Sequence, residues 1–310
     1  MARDHKLLLL DTASLYFRAF YGVPESITAP DGTPVNAVRG LLDFIARLVT
    51  DRSPDRMVAC LDADWRPAFR VELLPTYKQH RVADPATNAE QIPPALEAQV
   101  PVILEVLDAL GLAHVGVPGF EADDVIGTLA TRDTGPVDIV TGDRDLFQLV
   151  DDARGVRILY TARGVGKHEI VDESVVASKY AIPGRAYADF ATLRGDPSDG
   201  LPGVSGVGDK TAATLITRFG DLPGLLAALD DPAADLSPTL RRKLADARDY
   251  LAVAPAVVAV RTDVPLPDYD DALPSEPADP EALVALGERW GIDSSLNRVL
   301  HALRGRSVSA

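Results

Sequence analysis

Through its first half the chain alternates short apolar runs with amphipathic stretches. Leu7 to Leu10 is a continuous apolar run closed by Asp11, too short for a helix, and predicts a buried strand over 6–11. Val35, Val38, Leu41, Leu42, Ile45, Leu48 and Val49 then recur at helical spacing. Residues 56–62 predict a second strand, 97–110 a helix with Gly111 at its C-cap, 114–117 a third strand and 121–131 a helix. Residues 137–141 predict a fourth strand and 143–149 a short helix, and 156–160 with 168–171 two more strands turning about Arg163 and Gly164. This alternation predicts an α/β fold, a mixed and mainly parallel central sheet flanked by helices. Beyond residue 172 the pattern is helical, broken by Gly and Pro. Residues 265–280 hold five prolines and predict an extended linker, and 281–304 two small helical segments. The expected organisation is a core over 1–172, a helical region over 173–255, and a Pro-rich linker with a helical tail packed on the core over 256–310.

No apolar run approaches the roughly 18 residues needed to span a bilayer, so no membrane association is expected. One cysteine, Cys60, excludes an internal disulfide. The first residues lack a secretory signal's apolar stretch. A cytoplasmic protein is expected. The formal charge of −15 changes the picture more, because nucleic-acid binders are usually basic. Nine of the 46 acids are candidate site residues, and seven more lie in 262–281, which has no Lys or Arg. Removing those sixteen leaves 30 acids against 31 Lys and Arg. The remainder is near neutral, so any DNA contact is confined to local patches.

The positions of the acids are informative. Asp11 closes the first predicted strand and Asp62 the second; Glu121, Asp123 and Asp124 follow the third, Asp143 and Asp145 the fourth. Ligands bind at the carboxyl ends of strands in such sheets. Asp196 and Asp199 stand i, i+3 in a Gly-rich turn, 195–200. A lone Asp at a strand end is usually a helix N-cap or turn residue, and Asp11 and Asp143 both suit that role. Acids after four successive strands are harder to assign to capping. Together in one cleft they would repel one another unless hard divalent cations, Mg²⁺ or Mn²⁺, neutralised them. Two such ions about 4 Å apart suit phosphodiester cleavage.

Two further segments carry chemistry. Residues 66–81 interleave Arg66, Arg70, Lys78 and Arg81 with Phe69, Tyr77 and His80, which suits a single strand with stackable bases or, equally, a solvated helix over buried aromatics. Residues 203–211, with Gly203, Gly206, Gly208, Lys210 and Thr211, open a helix bearing Ala212, Ala213, Leu215 and Ile216. Asp209 between Gly208 and Lys210 excludes a P-loop. Glycines let a backbone approach a phosphate closely, and helix-start N–H groups attract anions. Such a hairpin can grip duplex phosphates, or be a plain helix–helix turn. Arg241, Arg242, Lys243 and Arg248 read as a solvated helix face, with duplex contact as the lesser alternative.

In combination these blocks resemble the bacterial and phage 5′-nuclease family, relatives of flap endonucleases that also form the front domain of repair-type DNA polymerases. The resemblance runs over about 6–255. It rests on Leu7–Asp11 with Arg18, on Leu61 and Asp62 with Phe69, Arg70, Tyr77, Lys78 and Arg81, on Glu121, Asp123 and Asp124, on Thr141 to Asp145, on Gly195 to Gly200 and on Gly203 to Thr211. It implies a PIN-like nuclease fold with a helical arch over about 64–95 and a helix–three-turn–helix at the glycine hairpin. The nine acids would divide between two or more divalent ions. Tyr77, Lys78, Arg81 and Arg18 would serve at the scissile phosphate. Arg70, Gly203, Val204, Gly206, Gly208, Lys210 and Thr211 would contact DNA, and a K⁺ ion on Val204, Ser205 and Val207 would bridge the backbone to duplex phosphates. The implied protein is a free-standing, monomeric 5′→3′ exonuclease and flap endonuclease of replication and repair, acting on flaps, nicks, gaps or free 5′ ends. A non-catalytic junction binder and a PIN-like ribonuclease are the alternatives.

Overall fold

The computed structural model describes residues 6–305. β1 (Leu7–Asp11) leads into α1 (Thr12–Gly22), α2 (Asn36–Arg52) and β2 (Arg56–Cys60). An excursion follows with α3 (Ala68–Leu73), a hairpin of β3 (Val82–Asp84) and β4 (Ala89–Glu90), and α4 (Pro94–Glu97). α5 (Val100–Leu110), β5 (His114–Val115), α6 (Ala122–Arg132) and β6 (Val137–Thr141) complete the alternation, and β7 (Val156–Tyr160) returns as β8 (Glu169–Val171). The six-stranded sheet has the order β5-β2-β1-β6-β7-β8. All its pairs are parallel except β7 with β8.

The period of two along β1 divides the core. Leu7 and Leu9 enter one apolar cluster with Val125 of α6, and Leu8 and Leu10 enter the other with Leu41 of α2 and Val106 of α5. A strand buried on both faces is why Leu7 to Leu10 is uninterrupted.

The C-terminal half packs α7 (Glu173–Tyr180), α8 (Tyr187–Arg194), α9 (Asp209–Phe219), α10 (Leu222–Asp230), α11 (Pro238–Asp246) and α12 (Arg248–Val258) against the first cluster. The Pro-rich segment then runs beside β2 where the short β5 does not reach: Met57 N–H donates to Asp271 at 2.9 Å and Leu273 N–H to Asp55 at 3.1 Å. α13 (Pro280–Trp290) and α14 (Asp293–Arg304) lie on α5 and α2 in the second cluster. Among the described residues no single helix is long and apolar enough to cross a membrane.

The helical arch expected over 64–95 is a correction. The segment contains α3, a single 3₁₀ turn over Gln79–Arg81, the β3–β4 hairpin and α4. Pro67, Pro75, Pro85, Pro93 and Pro94 each remove an N–H donor and prevent a long helix.

Candidate active site

The parallel strands share one carboxyl edge, and that edge is acidic. Asp11, Asp62, Glu121, Asp123, Asp143 and Asp196 line a single cleft of about 420 Å³, together with Lys78 and Arg81. All of these acids but Asp123 are held by hydrogen bonds or ion pairs. Asp11 both caps α1 and lines the cleft: it accepts from Ser14 N–H at 3.1 Å and from the Thr141 hydroxyl at 2.6 Å. Asp62 accepts from Ala122 N–H at 2.7 Å, which ties the end of β2 to the start of α6. Asp143 accepts from Asp145 N–H at 2.9 Å, and Asp196 from Ser198 N–H at 2.9 Å. Asp123, in the first turn of α6, shows no hydrogen bond or ion pair among the described residues.

Crowding raises the affinity of these groups for protons. Burial, countered by the Thr141 hydrogen bond and assisted by the charge of Asp62, raises Asp11 to about 7. Burial, then the charges of Asp11 and Asp143, holds Asp123 well above the usual carboxylate range. Asp145 and Asp199 do not line the cleft but act electrostatically on Asp143, which does. Burial, then the charges of Asp143 and Asp199, raises Asp145 well above its ordinary value, and the charge of Asp199 adds to burial in raising Asp143.

This donor set fits hard divalent cations. It is all oxygen, with no His or Cys in the lining, and Asp123 has no competing hydrogen bond or ion pair among the described residues. Among the described residues no three acidic, His or Cys side chains converge into a ready-made cage. Mg²⁺ keeps several waters and can be held through them, so direct convergence of carboxylates is not required.

The rim cations sit on a latched segment. Lys78 N–H donates to the Asp199 carbonyl at 2.9 Å, Thr76 Oγ1 to the Gly200 carbonyl at 2.9 Å, and Arg81 to the Ser198 carbonyl at 2.8 Å and the Asp199 carboxylate at 3.0 Å. Gly200, at φ +73°, is required there because a Cβ would collide with the Thr76 carbonyl. Lys78 is itself left-handed, at φ +47°, an uncommon conformation for a non-glycine residue. Its ammonium pairs with Glu121. Burial pulls Lys78 down, but neighbouring negative charge, Glu121 first and then Asp199 and Asp62, outweighs it and keeps the group protonated.

Four expected residues stand elsewhere. Asp124 is fully buried, gripped by both terminal nitrogens of Arg70 at 2.6 and 2.7 Å and accepting from Arg261 N–H at 2.8 Å. It also closes a capping box with Glu121 on α6, so capping is the right reading at this position. Arg70, expected on DNA, is 2% exposed and also pairs with Glu121 at 2.8 Å. Tyr77 is buried, its hydroxyl donating to Glu121 at 2.8 Å. Arg18 lies in an adjoining groove that shares Ser14 and Phe17 with the cleft. Arg66 donates to the carbonyls of Tyr77 and Pro75, so two of the basic strip's four cations, Arg66 and Arg70, are internal wiring. Glu90 and Arg144 line the cleft without having been anticipated. Glu90 belongs to no motif, whereas Arg144 lay between two candidate acids and could have been read.

Beside the cleft the chain closes on itself and enters the glycine hairpin. Arg194 connects the two, pairing with Asp196 at 3.4 Å and reaching Asp209, the first residue of α9, at 3.9 Å. Val204 and Val207 anchor the hairpin in the core, and Ser205, Gly206, Gly208 and Lys210 are exposed, with Thr211 half-buried. Gly203, at φ +65°, packs against the Arg194 backbone with no room for a Cβ.

A mainly parallel sheet with carboxylates gathered at one edge, cations lining the same cleft and an exposed glycine hairpin beside it define a nuclease-type architecture. Residues 6–181 match the family model "5′-3′ exonuclease, N-terminal resolvase-like domain", and residues 182–281 match "5′-3′ exonuclease, C-terminal SAM fold". A 5′-3′ exonuclease of Streptomyces coelicolor is 65% identical over 299 residues, covering 96% of this chain and 99% of the relative. One from Mycobacterium tuberculosis is 52% identical over 309 residues, covering 96% and 97%. In fold, the chain is similar to the bacteriophage T5 D15 flap endonuclease solved in a complex with DNA and metal ions, at TM-score 0.63 and 18% identity over 96% of this chain and 99% of that one. The chain belongs to the 5′-3′ exonuclease family.

Proposed function

We propose that the protein is a metal-dependent 5′-nuclease that hydrolyses DNA phosphodiesters near single-strand/duplex junctions. It acts as a 5′→3′ exonuclease and a flap endonuclease, on flaps, nicks, gaps and free 5′ ends, as a cytoplasmic monomer in replication and repair. The observation that carries this reading is the single cleft lined by seven acids, six of them expected from the sequence, with Lys78 and Arg81 on its rim.

Asp11, Asp62, Glu121, Asp123, Asp143 and Asp196, backed by Asp145 and Asp199, would hold two or more divalent ions, Mg²⁺ or Mn²⁺. Such ions, when bound, stabilise charge on the attacking and leaving oxygens. Lys78 and Arg81 place fixed positive charge where a phosphate entering the cleft gains charge in the transition state. Glu121 orients the Lys78 ammonium, and the Tyr77 hydroxyl in turn fixes Glu121. Arg18, in the adjoining groove, would draw the strand along the cleft. Gly203, Val204, Gly206, Gly208, Lys210 and Thr211 would bring backbone N–H groups and one ammonium to duplex phosphates, which positions DNA without reading its sequence.

The deciding assay incubates a labelled 5′-flap duplex and a matched RNA with Mg²⁺ or Mn²⁺, with EDTA as control. Cation-dependent release of 5′ fragments from DNA alone is the expected result. Tight binding with intact strands would replace the enzyme with a junction scaffold, and cleavage of the RNA would indicate a PIN-like ribonuclease. A second expectation concerns the hairpin: Lys210→Ala should weaken duplex binding and reduce the slope of log K against log salt by about one. An unchanged slope would remove Lys210 from the interface.

A further inference from the structure

The glycine hairpin carries a cation of its own. Gly206 is exposed at φ +70°, and Lys243 Nζ, from α11, donates to its carbonyl at 3.2 Å. A Cβ at position 206 would meet that ammonium, so glycine is what lets Lys243 reach the carbonyl. Two other members of the basic cluster to which Lys243 belongs are engaged elsewhere. Arg241 donates to the carbonyls of Leu229 at 2.5 Å, Asp231 at 2.9 Å and Ala234 at 3.1 Å, closing the loop between α10 and α11. Arg248 pairs with Asp230. Lys243 is the member of this cluster bonded to the hairpin, and it forms no ion pair with an acid among the described residues.

The resemblance implied K⁺ on Val204, Ser205 and Val207. The hairpin does not fit that ion as expected. Val204 O already accepts from Val207 N–H at 2.9 Å, and the carbonyl between Ser205 and Val207 receives an ammonium, which has the charge and nearly the size of K⁺. A second monovalent cation on the adjacent carbonyls would be repelled by the first.

We propose that Lys243 is the hairpin's resident cation. Its ammonium has three donors, and with one on the Gly206 carbonyl the others face a duplex phosphate. It stands where a monovalent metal ion would otherwise join backbone and DNA. This assignment rests on reading the hairpin as a duplex grip, and its consequence is DNA binding indifferent to the choice of K⁺ or Na⁺.

The test measures binding of a labelled duplex with EDTA present, in KCl, NaCl and tetramethylammonium chloride at equal ionic strength. Wild-type affinities are expected to agree within about twofold across the three salts. Lys243→Met should weaken binding roughly five- to tenfold and lower the salt slope by about one, as loss of one phosphate contact does; Lys243→Arg should keep most of both. A several-fold wild-type preference for K⁺, or a Lys243→Met protein with unchanged affinity and slope, overturns the assignment. The salt comparison needs only the unaltered protein, so misfolding of a variant does not protect the idea. Absence of any duplex binding by the wild type would instead overturn the reading of the hairpin as a DNA grip, and this assignment with it.

Discussion

Asp123→Asn is expected to lower turnover on a 5′-flap duplex by about two to four orders of magnitude while DNA binding survives. Asp123 is an expected site carboxylate that lines the cleft with no hydrogen bond or ion pair among the described residues, so its oxygens are free for a cation. Charge stabilisation by a bound ion is worth several kcal/mol in the transition state, and each ~1.4 kcal/mol is a decade in rate. Asparagine keeps the shape and one oxygen but removes the charge. It also relieves repulsion from Asp11 and Asp143, two of the groups that hold Asp123 above its usual range. Binding measured with EDTA present should therefore be unchanged or tighter, since one negative charge has left the path of a polyanion. Single-turnover rates and affinities measured on the same protein separate the two effects. Wild-type turnover in Asp123→Asn would remove this residue from the ion-holding set.

The cleft was legible in the sequence because strand ends are legible. A short apolar run that stops at Asp11 fixes both the strand and the edge at which its acid emerges, and the same holds for Thr141 before Asp143. Capping and a place in the cleft are compatible: Asp11 caps α1 with one oxygen, receives Thr141 on the other and lines the cleft. Distant pairing was not legible. Arg70 and Asp124 lie 54 positions apart, and nothing local distinguishes an arginine that meets a phosphate from one that meets a carboxylate. Motif logic therefore placed Arg70 on DNA and Asp124 on metal when each had taken the other. The arch failed for a local reason that could have been read, since five prolines within 67–94 do not permit a long helix. The link from Lys243 to Gly206 spans 37 positions and joins a charged helix face to a glycine turn, neither of which announces the other.

Arg70→Met is expected to destabilise the fold by about 3–5 kcal/mol, the usual effect of removing one partner from a buried pair. Arg70 and Asp124 are 2% and 0% exposed, and the same guanidinium pairs with Glu121. It also donates to the Val257 carbonyl at 2.9 Å, so it ties α3 to the end of α12. Without it Asp124 keeps only backbone donors, from Glu121 and Arg261, around a fully buried charge. Urea unfolding should show a lower midpoint with an unchanged m-value, because the surface exposed on unfolding is the same. The double variant Arg70→Met, Asp124→Leu should recover much of the loss, since replacing both members of a buried ion pair with apolar groups is often neutral. Where Arg70→Met protein remains folded, the salt slope of duplex binding should match wild type, because this arginine touches no phosphate. A variant as stable as wild type whose salt slope falls by one would return Arg70 to the DNA interface and free Asp124 for a cation.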